Sequence, residues 1–141
     1  MDKMDHSNSF DPCGLYYDLF VKSPNLPIRA QNDLTVSAEW SPESSLLRLI
    51  VENHSARDFS FPADLQAHVQ KRVLGRWFDK ITPIKRSAEA GLEVRLQPGK
   101  NRTLEWDLSA CLSALSPGEY RAIIALTDPA QNICGTFTIE K

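Results

Sequence analysis

The stretch LSPGEYRA, residues 115–122, decides how this chain is read. Proline and glycine stand side by side, a tyrosine follows two residues later, and the apolar run AIIAL (122–126) comes next. Pro-Gly bends a chain because proline presets φ and glycine accepts the positive φ that many bends require. Beyond the bend, Tyr120, Ala122, Ile124 and Leu126 alternate with Arg121, Ile123 and Ala125. Alternation with period two marks a strand with one buried face. The stretch therefore reads as a corner, where the chain crosses from one sheet to another and Tyr120, preceded by Pro117 and Gly118, holds the crossing.

Upstream of the corner the same alternation recurs. Leu34, Val36, Ala38 and Trp40 share a face in LTVSAEW, and SPESS (41–45) turns the chain. Leu47, Leu49 and Val51 oppose Arg48 and Glu52, after which HSARD (54–58) breaks the pattern. Leu65, Ala67 and Val69 oppose Gln66, His68 and Gln70, and VLGRWFDKI (73–81) reads as a hairpin turning at Gly75. Leu92, Val94 and Leu96 oppose Glu93, Arg95 and Gln97 before a turn at Pro98-Gly99. Leu104, Trp106 and Leu108 share a face, and SACLSALS (109–116) is a helical turn opened by a serine able to cap it. Downstream, DPAQN (128–132) reads as a hairpin turn, and Ile133, Phe137 and Ile139 line the last strand.

About seven short strands with turn signals between them predict an all-β protein, an antiparallel β-sandwich. One polar face per strand argues against a parallel sheet, whose strands are apolar on both sides. The expected core includes Trp40, Leu49, Val51, Leu65, Val94, Leu104, Trp106, Tyr120, Ile124 and Phe137. The sandwich domain spans 34–141, preceded by an N-terminal tail and edge extension over 1–33. Within that extension, residues 1–13 are polar, GLYYDLFV (14–21) reads as an added strand or short helix, and SPNLP (23–27) as an extended connector.

Composition narrows the function classes. The 141 residues, 42% hydrophobic and 24% charged, are enough for one domain with a core. A net charge of −2 offers no basic field for nucleic acid. No apolar run approaches the ~20 residues of a membrane span. The first residues, MDKMDHSNSFDPCG, carry no apolar signal segment. That leaves two compartments, the cytoplasm or, for a mature fragment, the cell envelope or exterior, of which the second is favoured.

Cys13, Cys111 and Cys134 are widely spaced and form no CxxC or Cys/His cluster, so no metal site is expected. Pairing of Cys134 with Cys13 or Cys111 is conceivable in an oxidising compartment; three unpaired thiols is the plainer expectation. His6, His54 and His68 fall in a tail, a turn and a polar strand face, with no reason to converge. No nucleophile elbow, P-loop, dinucleotide fingerprint or H-E-x-x-H occurs. No catalytic residues and no cofactor are therefore expected.

The corner is the point at which a family resemblance enters. In a Greek-key sandwich a tyrosine at the start of the penultimate strand bonds back to the upstream backbone, the place Tyr120 occupies. VENHS, LGRWFDKI, LQPGKNRTLEWDLSACLSALSPGEYRA and GTFTIEK, in that order, resemble a bacterial immunoglobulin-like domain of the kind found in Gram-positive secreted and envelope proteins. The resemblance covers roughly residues 34–140. It implies an immunoglobulin-like or fibronectin III-like topology and a non-enzymatic binding or structural module, with no catalytic residues to carry over. A weaker similarity is to the bacterial intracellular proteinase inhibitors, through Asn53, LQPG (96–99), Trp106-Asp107 and PGEY (117–120).

Two candidate surfaces follow. Arg72, Arg76, Trp77 and Phe78 gather around a hairpin rich in basic residues and suit contact with another protein or a glycan. The competing reading of Trp77 is a core tryptophan, since a large aromatic on a strand is usually mostly buried. For the inhibitor alternative, an exposed loop is needed, and Phe59, Phe61, Pro62 and Asp64, or SARD (55–58), are the candidates. A third possibility is an edge strand exchanged between subunits through residues 14–21.

Overall fold

The computed structural model describes Ile28, residues 33–83 and residues 92–140. Cys13, His6, the aromatic stretch 14–21 and the connector 23–27 lie outside the described residues.

Strands β1 (Leu34–Ser41), β2 (Leu46–Asn53), β3 (Phe59–Pro62), β4 (Val69–Val73) and β5 (Arg76–Ile81) come first. They are followed by β6 (Glu93–Leu96), β7 (Asn101–Asp107), a short 3-10 helix (Ser109–Ala114), β8 (Gly118–Thr127) and β9 (Ala130–Ile139). A three-stranded sheet has the order β1-β2-β7, a four-stranded sheet the order β5-β4-β8-β9, and β3 pairs with β6 in a separate ribbon. Among the described residues every pairing between these strands is antiparallel, and an isolated parallel bridge joins Ile28 to Asn132.

The period-two alternation sets these pairings. A slip of one residue would turn every apolar side chain outward, so Leu47, Leu49 and Val51 of β2 and Val69, Tyr120, Ala122 and Ile124 of the four-stranded sheet are all fully buried. With Phe59, Phe61 and Leu96 of the ribbon they form one apolar cluster, which makes the molecule an all-β sandwich. Where β1 approaches β9, Gly135 is required: a Cβ there would lie 2.9 Å from Val36 Cγ1 and 3.0 Å from its carbonyl oxygen.

Of the expected core, Leu49, Val51, Trp106, Tyr120, Ile124 and Phe137 are buried, and Trp40, Leu65, Val94 and Leu104 pack against them half-buried. Trp106 donates its indole N–H to the Leu65 carbonyl at 3.2 Å. The Tyr120 ring stacks on Phe137 at 5.5 Å.

Four expectations are corrected. The segment holding Phe59, Phe61 and Pro62 is a strand rather than an exposed loop. Phe59 is 3% and Phe61 0% exposed, because the ribbon closes the sandwich and the Ser60 amide donates to Asp128 O at 3.0 Å. Leu92 precedes β6 instead of continuing its inward face and is 82% exposed. The 3-10 helix is opened by Asp107, whose carboxylate accepts the Ser109 amide at 3.0 Å, and not by the Ser109 side chain. Finally, Cys111 is disulfide-bonded and Cys134 is a free thiol, so the expected three unpaired thiols are not found, and neither pairing through Cys134 forms.

Candidate functional site

The corner is a local hydrogen bond. Gly118 opens β8 with φ of +153°, and Tyr120 Oη donates to the carbonyl of Ser116 four residues upstream. Burial pushes the Tyr120 hydroxyl above its ordinary pKa, only partly offset by that bond, so it remains a neutral donor. Lys71 closes over the ring from β4, its ammonium 5.8 Å from the centroid, and donates to Ser116 Oγ at 2.5 Å. Pro117 itself stays exposed at the bend.

Starting from Tyr120 on the inner face, each alternate residue of β8 projects from the other side of the sheet. Arg121 is the first. The register sets it across from Gln70 on β4, and Gln70 across from Asp79 on β5. These three side chains form a chain of hydrogen bonds across the strands. Arg121 Nε donates to Gln70 Oε1 at 2.8 Å, and Gln70 Nε2 donates to Asp79 Oδ1 at 2.9 Å. The same carboxylate oxygen lies 3.0 Å from His68 Nε2. Gln70 is 1% exposed, and its amide accepts at one end and donates at the other, as a buried polar group must.

The guanidinium of Arg121 lies over the ring of Trp77, 4.5 Å from its centroid. Trp77 is directly opposite Arg72 in the register, and Arg72 reaches Glu119 at 3.7 Å. Burial works against ionised Asp79, but hydrogen bonds from His68 and Gln70 and the charges of His68 and Arg121 outweigh it, so its carboxyl sits below the ordinary carboxylate value. Burial likewise lowers the proton affinity of Arg121, while the neighbouring Cys134 and Asp79 act the other way. Burial raises the pKa of the Cys134 thiol.

The Arg72, Arg76, Trp77 and Phe78 group is divided by the pleat. Trp77 and Arg72 belong to the outer face, whereas Phe78, paired with Lys71, belongs to the inner one. Trp77 is half-buried, between its two sequence readings, and Arg76 is exposed beside the hairpin turn. Arg121, Gln70, Asp79 and His68 were not among the sequence candidates. Alternation alone places Arg121 on the outer face, but its meeting with Gln70 and Asp79 depends on long-range register. Lys85 and Arg86, farther along the chain, lie outside the described residues.

At the inhibitor candidate, Asn53 is 1% exposed and binds the loop that follows it. Its Nδ2 donates to the carbonyls of Arg57 (2.8 Å) and Leu96 (2.9 Å), and its Oδ1 accepts from the Ser55 amide and hydroxyl. The SARD loop is thereby curled into a tight bend. Phe59 and Phe61 are core, and Asp64 is exposed in the turn after β3.

Among the described residues no three His, Cys, Asp or Glu side chains are grouped as metal ligands, and no helix is long and apolar enough to cross a membrane. On the face built around Trp77 and Arg121 both side chains are half-buried, and His68 and Asp79 are engaged with each other.

No protein-family model and no curated protein matches the chain. Among solved structures it is similar to β-glucosidase 3B from Thermotoga neapolitana in complex with glucose, with a TM-score of 0.38 and 19% identity over 89% of this chain and 19% of that one. The complex of that enzyme with α-D-glucose gives a TM-score of 0.36 and 20% identity over the same shares. The chain thus spans about a fifth of the length of the β-glucosidase chains it resembles.

Proposed function

We propose that the chain is a non-enzymatic binding module of immunoglobulin-like topology, of the kind built into bacterial secreted and envelope proteins, and that it meets another protein through the outer face of its four-stranded sheet. The observation that carries this reading is the Arg121 guanidinium stacked on Trp77 and anchored through Gln70 to Asp79. Arginine and tryptophan dominate binding hot spots. Side chains already ordered in the free protein lose little further entropy on association.

The topology supports the same reading. With the β3–β6 ribbon set aside, the remaining strands form one sheet from the first, second and fifth and another from the fourth, third, sixth and seventh. A constant-type immunoglobulin domain pairs its fourth strand with the fifth; here that strand has moved to the opposite sheet. The corner tyrosine opens the penultimate strand in both. Protease inhibition finds no comparable support, because a protease cleft takes up an extended segment and Asn53 curls the exposed loop.

The test is affinity capture from an extract of the producing organism on immobilised wild type, Trp77→Ala and Arg72→Glu chains. A protein retained by the wild type and lost from both variants, at unchanged circular dichroism, is the expected result. Identical retention on all three would overturn the assignment of the face.

A further inference from the structure

The tip of the β4–β5 hairpin breaks two local rules at one residue. Leu74 and Gly75 are its central residues, with φ of +53° and +79°. Two positive φ values make the turn whose twist matches the flanking strands, and Asn-Gly or Asp-Gly is its usual occupant. Leucine is disfavoured there, because its Cβ crowds the backbone in the left-handed region. The Leu74 side chain is also 97% exposed. The turn would be better served by asparagine, and the core gains nothing from leucine. Single exposed apolar residues are common on surfaces. One held in a disfavoured backbone conformation at a hairpin tip is a different observation, and an outlier of that sort motivates a functional hypothesis.

Arg72 and Arg76 stand on either side of the tip, both exposed. We infer that Leu74 is an anchor that enters an apolar pocket on a partner protein whose rim carries carboxylates, with Arg72 and Arg76 pairing with that rim. The inference rests on the reading of the chain as a binding module; it shares Arg72 with the outer face, but not Trp77 or Arg121. A convex apolar knob needs a concave apolar partner, and two flanking guanidiniums select carboxylates with bidentate geometry. A membrane surface fits less well. Even a whole myristoyl chain gives only marginal attachment, and a single leucine is much smaller.

The decisive variant is Leu74→Asn, which removes the anchor while improving the turn. A random peptide library displayed on phage is selected on the intact wild-type chain. Enriched peptides are expected to set apolar residues among Asp and Glu and to bind the wild type at least about tenfold more tightly than Leu74→Asn, a ratio typical of losing one buried apolar anchor. Their binding should weaken as salt rises. The melting temperature of Leu74→Asn should rise by about 2–5 °C, the shift that relief of a strained turn gives in a domain of this size. Absence of enrichment, equal binding to both chains, or a lower melting temperature for the variant would each overturn the inference. Peptides lost on Trp77→Ala but retained by Leu74→Asn would overturn it while leaving the binding-module reading in place. Sedimentation of the wild type, but not the variant, with phosphatidylserine vesicles would assign the knob to a membrane surface instead.

Discussion

The inner face of the four-stranded sheet and the Gln70 network on its outer face, where apolar Ile123 is buried as well, reach burial by opposite means. On the inner face Val69, Tyr120, Ala122 and Ile124 are wholly excluded from water and, the tyrosine hydroxyl aside, apolar. Their contribution scales with the apolar area removed from solvent and asks little of geometry beyond a good fit. On the outer face Gln70 is nearly as deeply buried, yet it is polar. Its burial is tolerated only because Arg121 and Asp79 satisfy both ends of the amide. The inner face is thus a set of roughly independent contributions, and the outer face is a unit in which removing one member exposes the others to an unmet demand.

That contrast can be broken or sharpened by experiment. The largest effect belongs to the inner face. Ile124→Ala should destabilise the domain by about 2–5 kcal/mol, the range for truncating a buried branched side chain, measured by urea denaturation. A loss below about 1 kcal/mol would mean that the core collapses around the site, contrary to close packing.

The next effect tests coupling on the outer face. Gln70→Ala leaves the Arg121 and Asp79 groups without their buried partner and should cost about 1–3 kcal/mol. In a double-mutant cycle with Arg121→Met, the coupling energy should exceed about 0.5 kcal/mol, whereas pairs of distant inner-face substitutions should add. Additivity of the Gln70 and Arg121 substitutions would show that the outer face is not a unit.

The smallest effect is the pH dependence. Asp79 has its pKa depressed in the folded state: burial opposes the charge, but the hydrogen bonds from His68 and Gln70 prevail. A depressed carboxyl stabilises the fold above its unfolded value, and the stabilisation is lost as pH falls through the folded value. Denaturation midpoints should therefore decline below about pH 4, the ordinary aspartate range, and Asp79→Asn should flatten that decline relative to the wild type. An unchanged acid limb in Asp79→Asn would show that the carboxylate is not held by the network.

Most of the inner face was legible in sequence because each strand reports its own burial. Leu47, Leu49 and Val51 alternate within a few residues, and the corner at Pro117-Gly118-Tyr120 carries its turn chemistry locally. The errors came where tertiary closure overrode the local pattern. FSFP looks like a loop beside HSARD, but β6, more than thirty residues later in the chain, pairs with it and buries it. Asn53 stands out in the sequence only through a family similarity, and only the arrival of Leu96 O and Arg57 O makes it a buried staple.

The amino-acid sequence by itself determined the strand faces, the turns and the corner, because side-chain alternation and the φ preferences of proline and glycine act over a few residues. Only the tertiary structure decided that Arg121 meets Gln70, Asp79 and Trp77, and that the hairpin lifts Leu74 clear of the surface. Those relations depend on which strands become neighbours and in what register, and no property of β4, β5 or β8 taken alone contains that information.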